Sequence, residues 1–175
     1  MSIERLVLGG GCFWCTEAVF LNVKGVSSVS SAYTGGLRPN PNYESICTGV
    51  SGHAEVIDIE YDSELIKLEN LLEIFFVIHD PTTMNQQGAD RGTQYRSVIY
   101  YSNEEERVTV LNSIKEAQAN FSDKIITEVS ELGNVYKAEA YHQNYYNQNS
   151  SQGYCQVVIA PKLQKFMTSC PQFLG

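Results

Sequence analysis

Basic residues are scarce in this sequence and form no cluster. There are 12 lysine and arginine residues against 20 acidic ones, which gives a formal net charge of −8. Because nucleic-acid-binding surfaces are built from clustered lysine and arginine, we exclude nucleic acid as a partner. No apolar run approaches the roughly 20 residues of a membrane-spanning helix, and no N-terminal segment has the features of a secretory leader. We therefore expect a monomeric, cytoplasmic protein that does not bind membranes.

Metal-binding patterns are also missing. The sequence has three histidines, His53, His79 and His142, and none of them has His-x-x-x-His spacing. The five cysteines include one close pair, Cys12 and Cys15, without a second pair to complete a zinc site. An odd number of cysteines does not suggest a fully paired secreted framework, so we expect reduced thiols, no metal and no cofactor. A metal-binding interaction module is the least favoured interpretation, and a metal assay would test it.

The most informative stretch is Gly9-Gly10-Gly11-Cys12-Phe13-Trp14-Cys15. Residues 3–8 predict a buried strand and residues 16–21 a short helix, so Cys12 should lie near a helix N-terminus. The helix dipole and free N–H groups favour an anion there, which predicts a lowered pKa for the Cys12 thiol. A buried cysteine packed by two aromatic rings is the simpler interpretation. The Cys12–Cys15 spacing, however, is typical of redox or metal-binding thiols.

The rest of the chain alternates between strand-like and helix-like segments. Strands are predicted over 26–33, 54–61, 95–101 and 124–129, and helices over 63–78, 103–119 and 161–167. These segments indicate one α+β domain, residues 1–175, with helices packed on a mixed sheet. From about residue 132 the composition is rich in Tyr, Asn and Gln and predicts an irregular segment, 132–175.

The segment 54–61 is the clearest strand, and its alternation places a carboxylate on an apolar face. Glu55, Ile57 and Ile59 point to the same side of this strand. A carboxylate on a core-facing side is either paired with a cation or protonated. The sequence leaves both open: Glu55 is paired with Arg96 or another base, or it is a general acid whose pKa is raised by burial.

Several ordered motifs resemble those of the A-type peptide methionine sulfoxide reductases. They are Gly11-Cys12-Phe13-Trp14-Cys15, Tyr43-Glu44, Gly52-His53-Ala54-Glu55-Val56, Asp90 with Gly92-Thr93-Gln94-Tyr95-Arg96-Ser97, Tyr141-His142-Gln143 and Gly153-Tyr154-Cys155. The resemblance spans nearly the whole chain and departs at Cys15, where the family more often has glycine. It implies a two-layer sandwich with a ferredoxin-like core. It also implies an enzyme of oxidative-damage repair that reduces methionine S-sulfoxide, free or in proteins, with thioredoxin as reductant.

The resemblance also implies roles for individual residues. These are Cys12 as nucleophile, Glu55 as general acid, Tyr43 and Tyr95 as ligands of the sulfoxide oxygen, Asp90 as an ordering residue, and Phe13 and Trp14 as the methyl pocket. His142 is expected in a polar network near the site. The main alternative, a general dithiol–disulfide oxidoreductase using Cys12 and Cys15, would not require Glu55 or the two tyrosines.

Two cysteines compete to regenerate Cys12. Cys155 follows Gly153-Tyr154, as the family's recycling cysteine does, and the Asn, Ser and Gly residues before it predict a mobile arm. Cys15 is near in sequence, but a disulfide between residues three apart on a helix strains the backbone. We therefore favour a Cys12–Cys155 disulfide, with Cys15 in reserve. Cys47 is predicted to be buried and inert, and Cys170 to lie in a mobile tail.

Overall fold

The computed structural model describes residues 2–37, 39–49 and 51–175. The strands are β1 (Ile3–Gly9), β2 (Val26–Thr34), β3 (Ala54–Asp62), β4 (Gln86–Gln87), β5 (Asp90–Arg91), β6 (Val98–Tyr101), β7 (Glu128–Glu131) and β8 (Val135–Lys137). The helices are α1 (Phe13–Phe20), α2 (Tyr43–Cys47), α3 (Leu68–Ile78), α4 (Glu104–Ala117), α5 (Tyr145–Asn149) and α6 (Ala160–Ser169). A π-helical turn, Cys155–Ile159, leads directly into α6.

Six strands form one mixed sheet in the order β7-β6-β1-β3-β2-β8. β1 lies between β3 and β6 and is antiparallel to both, while β6 and β7 are parallel. β4 and β5 form a separate two-stranded ribbon within the loop that joins α3 to β6. The α+β class with a mixed sheet is therefore confirmed, and each predicted strand is present with shifted ends.

The alternation of side chains along the strands divides the core between the two faces of the sheet. Leu6 and Leu8 of β1 belong to the larger cluster, together with residues of α1, α3 and α6. Val7, between them, belongs to a smaller cluster on the opposite face with Ala54 and Val56 of β3. Alternate residues of β1 are thus buried on opposite faces of the sheet. Close packing on both faces holds the central strands rigidly.

Two predicted helices begin later than expected. α3 begins at Leu68 instead of residue 63, because residues 63–66 form a turn in which the Ile66 N–H donates to the Asp62 carbonyl at 3.0 Å. α4 begins at Glu104, and the Asn103 side chain caps it by accepting from the Glu106 N–H at 2.9 Å. Both starts are determined by local hydrogen bonds rather than by the apolar period.

The prediction of an irregular segment from residue 132 onward is wrong, whereas the helix predicted over 161–167 is confirmed and lies within α6. The chain there forms β8, α5, the π-helical turn and α6, and packs against α1 and α3. The apolar side chains of Ile159 and Phe166 are fully buried, so tertiary packing stabilises helices whose sequence carries little periodic signal. Cys170 is 2% exposed at the end of α6, and the predicted mobile tail is also wrong.

The last residues are tied back to the loop that follows α1. The Gly175 N–H donates to the Asn22 carbonyl at 2.8 Å, and the Lys24 N–H donates to the Phe173 carbonyl at 2.7 Å. The C-terminal residues are thus fastened beside the end of α1. Within the described ranges, no helix is long and apolar enough to cross a bilayer.

Candidate active site

A glycine turn joins β1 to α1 because its neighbours leave no room for side chains. A Cβ atom on Gly9 would lie 2.5 Å from the Glu55 carbonyl oxygen. Gly11 has φ of +88°, a conformation that favours glycine, and its N–H donates to the Tyr95 carbonyl at 3.1 Å. The turn therefore brings Cys12 close to β3 and to the segment that carries Tyr95.

Cys12 occupies the N-cap position of α1 and is 8% exposed. Burial raises the pKa of its thiol, and a hydrogen bond to the Cys15 thiol and the charge of Glu55 raise it further. The Trp14 N–H favours the thiolate but is outweighed. The prediction of a lowered pKa at the helix terminus is therefore wrong for this state, because desolvation of the sulfur exceeds the effect of one helix amide.

Glu55 is 1% exposed at the start of β3. Burial raises the pKa of its carboxyl group to about 8, although the Phe13 N–H donates to Oε1 at 3.1 Å and acts in the opposite direction. The other oxygen, Oε2, is buried and has no hydrogen-bond partner among the described residues. Arg96 instead pairs with Glu128 at 3.1 Å, so the predicted alternative of a Glu55–Arg96 pair is not found. At neutral pH, Glu55 is a protonated carboxyl group.

Two half-buried tyrosines lie near this carboxyl group. Burial raises the pKa of Tyr95, and the charges of Glu55 and Cys12 add to that effect. Burial likewise raises the pKa of Tyr43, whose hydroxyl is also hydrogen-bonded to the Cys47 thiol. Both hydroxyls are therefore neutral at physiological pH and can donate hydrogen bonds.

Asp90 lies on β5, in the ribbon between α3 and β6. One of its oxygens accepts a 2.7 Å hydrogen bond from the Tyr154 hydroxyl. The same hydroxyl lies 3.8 Å from the Cys15 sulfur. Asp90 therefore orients a tyrosine against Cys15, a contact that the sequence does not predict.

Trp14 is held by residues from the far end of the chain. Its ring stacks on Tyr145 with centroids 3.7 Å apart and planes inclined by 7°. Its Nε1–H donates to His142 Nδ1 at 3.0 Å, so the prediction that His142 belongs to a polar network is confirmed. Trp14 is half-buried, whereas the Phe13 ring has no exposed surface and packs against Tyr33 at 5.6 Å.

The three cysteines at the site are arranged in space with Cys15 between Cys12 and Cys155, which the sequence does not predict. Cys15 is hydrogen-bonded to Cys12 and is 1% exposed. Cys155 is fully buried in the π-helical turn, and burial together with the charge of Cys15 raises the pKa of its thiol. Cys155 thus neighbours Cys15, and it does not lie on the predicted mobile arm.

Cys47 differs from its prediction as well: it is exposed, not buried. It ends α2, a five-residue helix in which Ile46 is the buried residue. Because α2 lies on the surface, the thiol has no core to enter and instead contacts the Tyr43 hydroxyl.

Sequence reasoning missed two carboxylates that fix the surroundings. Glu139 accepts from the Tyr33 hydroxyl at 2.9 Å and from the Tyr43 N–H at 3.0 Å. Glu17 lies on the buried side of α1 and accepts from the Tyr145 N–H at 3.2 Å. Glu17 could have been found from the sequence, because it is the one carboxylate in an otherwise mostly apolar helix over 13–20. Nothing in the local sequence distinguishes Glu139 from an ordinary surface glutamate.

These contacts surround the start of α1 with a thiol, a protonated carboxyl group and neutral phenols. A thiol can attack an electrophilic atom, and the acidic groups can protonate an oxygen that leaves it. No group of three or more His, Cys, Asp or Glu side chains suited to a metal ion occurs in residues 2–37, 39–49 and 51–175.

Known proteins resemble this chain over almost its full length. The family model for peptide methionine sulfoxide reductase matches residues 4–172. Peptide methionine sulfoxide reductase MsrA of Polynucleobacter asymbioticus is 53% identical over 167 residues, which cover 94% of this chain and 88% of the relative. The MsrA of Nitratiruptor sp. is 53% identical over 171 residues, which cover 98% of each protein. The reduced form of Mxr1 from Saccharomyces cerevisiae superimposes with a TM-score of 0.81 at 32% identity, covering 87% of this chain and 89% of Mxr1. Together, these matches show that the chain belongs to the peptide methionine sulfoxide reductase family of enzymes.

Proposed function

We propose that this enzyme reduces methionine S-sulfoxide, free or in proteins, to methionine, and so repairs oxidative damage. The observation that carries the proposal is the state of Glu55. Its carboxyl group is protonated at neutral pH, and its buried Oε2 has no partner among the described residues. Its Oε1 accepts a hydrogen bond from the Phe13 N–H, the first amide of α1, and Cys12 is the N-cap of the same helix. The carboxyl group of Glu55 and the sulfur of Cys12 therefore both lie at the first turn of α1.

In the proposed reaction the Cys12 sulfur attacks the sulfoxide sulfur. Glu55 protonates the sulfoxide oxygen while the Tyr43 and Tyr95 hydroxyls donate hydrogen bonds to it. The attack forms an S–S bond between Cys12 and the substrate, and the S–O bond breaks as the oxygen leaves as water. This water then attacks the Cys12 sulfur and gives up a proton, the S–S bond breaks with its electron pair going to the substrate sulfur, and a Cys12 sulfenic acid and the thioether remain. One thiol and one sulfoxide thus become one sulfenic acid and one thioether, without any further reactant.

The substrate pocket is proposed to use the remaining predicted residues. Trp14 offers a half-buried apolar face to the methyl group, and the buried Phe13 ring supports the turn from behind. Asp90 orders the site through Tyr154, as their 2.7 Å hydrogen bond indicates.

For recycling we propose that Cys15 reacts with the Cys12 sulfenic acid first. Cys155 then attacks the Cys15 sulfur of the Cys12–Cys15 disulfide, so that a Cys15–Cys155 disulfide forms and Cys12 leaves as the thiolate. The contact between Cys12 and Cys15 and the proximity of Cys155 to Cys15 support this order. The preference for a direct Cys12–Cys155 disulfide depended on a mobile arm, and the segment is helical. Thioredoxin is the proposed reductant, since the related Mxr1 forms a complex with Trx2.

We further propose that residues 1–175 act as a single catalytic domain with a ferredoxin-like, two-layer core. The order β6-β1-β3-β2, with α1 and α3 as the connections, supports this assignment. A reducing compartment such as the cytoplasm suits an enzyme that must return Cys12, Cys15 and Cys155 to thiols after each cycle.

A general dithiol–disulfide oxidoreductase remains the competing function and is not favoured. Such an enzyme needs Cys12 and Cys15 but has no use for a buried protonated carboxyl group. The family match and the state of Glu55 therefore both favour sulfoxide reduction.

The proposal is tested with the two separated epimers of a methionine sulfoxide peptide, using dithiothreitol as reductant and liquid chromatography to measure methionine. We expect reduction of the S epimer only, because a site that fixes the methyl group and the oxygen leaves one face of sulfur open to Cys12. Comparable rates on both epimers, or none on either, would contradict the proposed function. An insulin-reduction assay with the same protein tests the competing function.

The recycling order predicts distinct end states for two variants. After one turnover without reductant, Cys15→Ser is expected to hold a persistent Cys12 sulfenic acid, and Cys155→Ser a Cys12–Cys15 disulfide. Both should form about one methionine per enzyme, and both should turn over slowly with thioredoxin. Mass spectrometry identifies each product, and Cys170→Ser, at the end of α6, serves as the control. A Cys12–Cys155 disulfide in Cys15→Ser that forms at the wild-type rate would restore the direct route.

A further inference from the structure

The buried Cys15 thiol faces ionisable groups from several elements. They are Cys12 at the N-cap of α1, Glu55 on β3, Asp90 on β5, Tyr154 and Cys155 around the π-helical turn, and Lys162 on α6. Lys162 is the one cation in this set. The resolving reaction requires an anion at Cys15, so this cation has a direct chemical consequence.

Lys162 lies where α6 passes the glycine turn. Its ammonium nitrogen is 3.9 Å from the position that a Cβ atom on Gly11 would occupy. It is half-buried, and none of the ion pairs or hydrogen bonds found for the described residues involves it. Its charge is therefore not neutralised by a bonded partner, and the ammonium lies beside the glycine turn that leads into α1, the helix that carries Cys15.

We infer that Lys162 is a positioning residue for the resolving step, in which its ammonium holds Cys15 as the thiolate that attacks the Cys12 sulfenic acid. The inference rests on the proposed function and extends it to the second half of the catalytic cycle. In this step the Cys15–Cys12 S–S bond forms and the S–O bond of the sulfenic acid breaks. The oxygen leaves as hydroxide, takes up a proton and becomes water. Cys15 is oxidised and Cys12 is reduced from sulfenic acid to disulfide, so no outside oxidant is needed.

The electrostatic contributions at Cys15 indicate that Lys162 acts throughout the cycle. In the resting enzyme, the hydrogen bond from the Cys12 thiol is the largest influence that lowers the pKa of Cys15. Burial opposes it, and Lys162 and Tyr154 lower the pKa further. Once Cys12 is a sulfenic acid, its thiol no longer exists. The charge of Lys162 is unchanged by that reaction and still favours the Cys15 thiolate.

Lys162→Met tests the inference in the full-length enzyme. A single turnover with one equivalent of the S-sulfoxide peptide is followed for methionine, and for the Cys12 sulfenic acid by trapping with dimedone. We expect methionine to form at the wild-type rate. We expect the sulfenic acid to decay slower at pH 7, on the order of tenfold, because the thiolate fraction of Cys15 falls as its pKa rises. The pH dependence of this decay should move to higher pH.

Two matched variants separate this effect from a structural one. Lys165→Met removes a charge one turn further along α6 and should leave both rates unchanged, whereas Lys162→Arg keeps the charge and should restore most of the decay rate. Sulfenic acid decay at the wild-type rate in Lys162→Met, with an unmoved pH profile, would overturn the inference. Equal slowing in Lys165→Met would overturn it as well. Absence of methionine formation in the wild-type enzyme, by contrast, would overturn the proposed function itself.

Discussion

Replacing Cys12 with serine is expected to abolish sulfoxide reduction, including the single turnover that needs no recycling. A serine hydroxyl stays protonated at neutral pH, and it is a far weaker nucleophile toward sulfur than a thiolate. Because Cys12 is 8% exposed and its replacement is nearly isosteric, the fold should be retained. The measurement is methionine released per enzyme from the S-sulfoxide peptide in excess dithiothreitol, which bypasses thioredoxin.

The matched control for this variant is Cys170→Ser, which alters another buried thiol at the end of α6. It should retain full single-turnover activity, so a loss specific to Cys12 identifies the nucleophile. Methionine formation by Cys12→Ser at more than a trace level would remove Cys12 from the proposed mechanism.

Glu55→Gln is expected to reduce the rate of methionine formation by roughly a hundredfold or more at neutral pH, the usual effect of a lost general acid. The amide has nearly the same shape and can still accept from the Phe13 N–H, but it has no acidic proton to give. The loss should shrink at low pH, where solvent protons substitute. An unchanged rate at pH 7 would remove Glu55 from the reaction.

The pH dependence gives a second check on Glu55. The ratio of wild-type to Glu55→Gln rates removes the part of the Cys12 ionisation that the two enzymes share. The charge that Glu55 gains above its own pKa also raises the pKa of Cys12 in the wild type alone, which lowers the ratio further. Since the pKa of Glu55 is about 8, the acid is present below that pH and is lost above it. The ratio should therefore fall by about tenfold per pH unit above pH 8. A ratio that rises there would mean that the carboxylate, not the acid, is the active form.

The first half of the site could be predicted from sequence because its signals are local. Strict alternation over 54–61 placed Glu55 on the buried face, and the glycine turn placed Cys12 at the helix N-terminus. The pKa of Cys12 could not be predicted in the same way. It depends on the depth of burial and on Cys15 and Glu55, which only the folded chain brings together.

The second half of the site could not be predicted because its contacts join distant parts of the chain. Tyr145 and His142 reach Trp14, and Tyr154 reaches Cys15, over separations of more than 120 residues. The Asn- and Gln-rich composition of that region gives no periodic apolar signal, so the sequence predicts irregular structure there apart from the helix over 161–167. Its helices are stabilised by packing on α1, which cannot be read from their own sequence.

The fastening of the C-terminal residues beside α1 has a consequence for biosynthesis. Cys12 is translated near the start of the chain, whereas Cys155, Lys162 and the residues that hold Gly175 to Asn22 are translated last. At ordinary elongation rates of about 5–20 residues per second, the nascent chain carries an unscreened Cys12 for roughly ten to thirty seconds. Cys12 and Cys15 are thus both open to peroxide until the segment that carries Cys155 and Lys162 has been made and packs on α1.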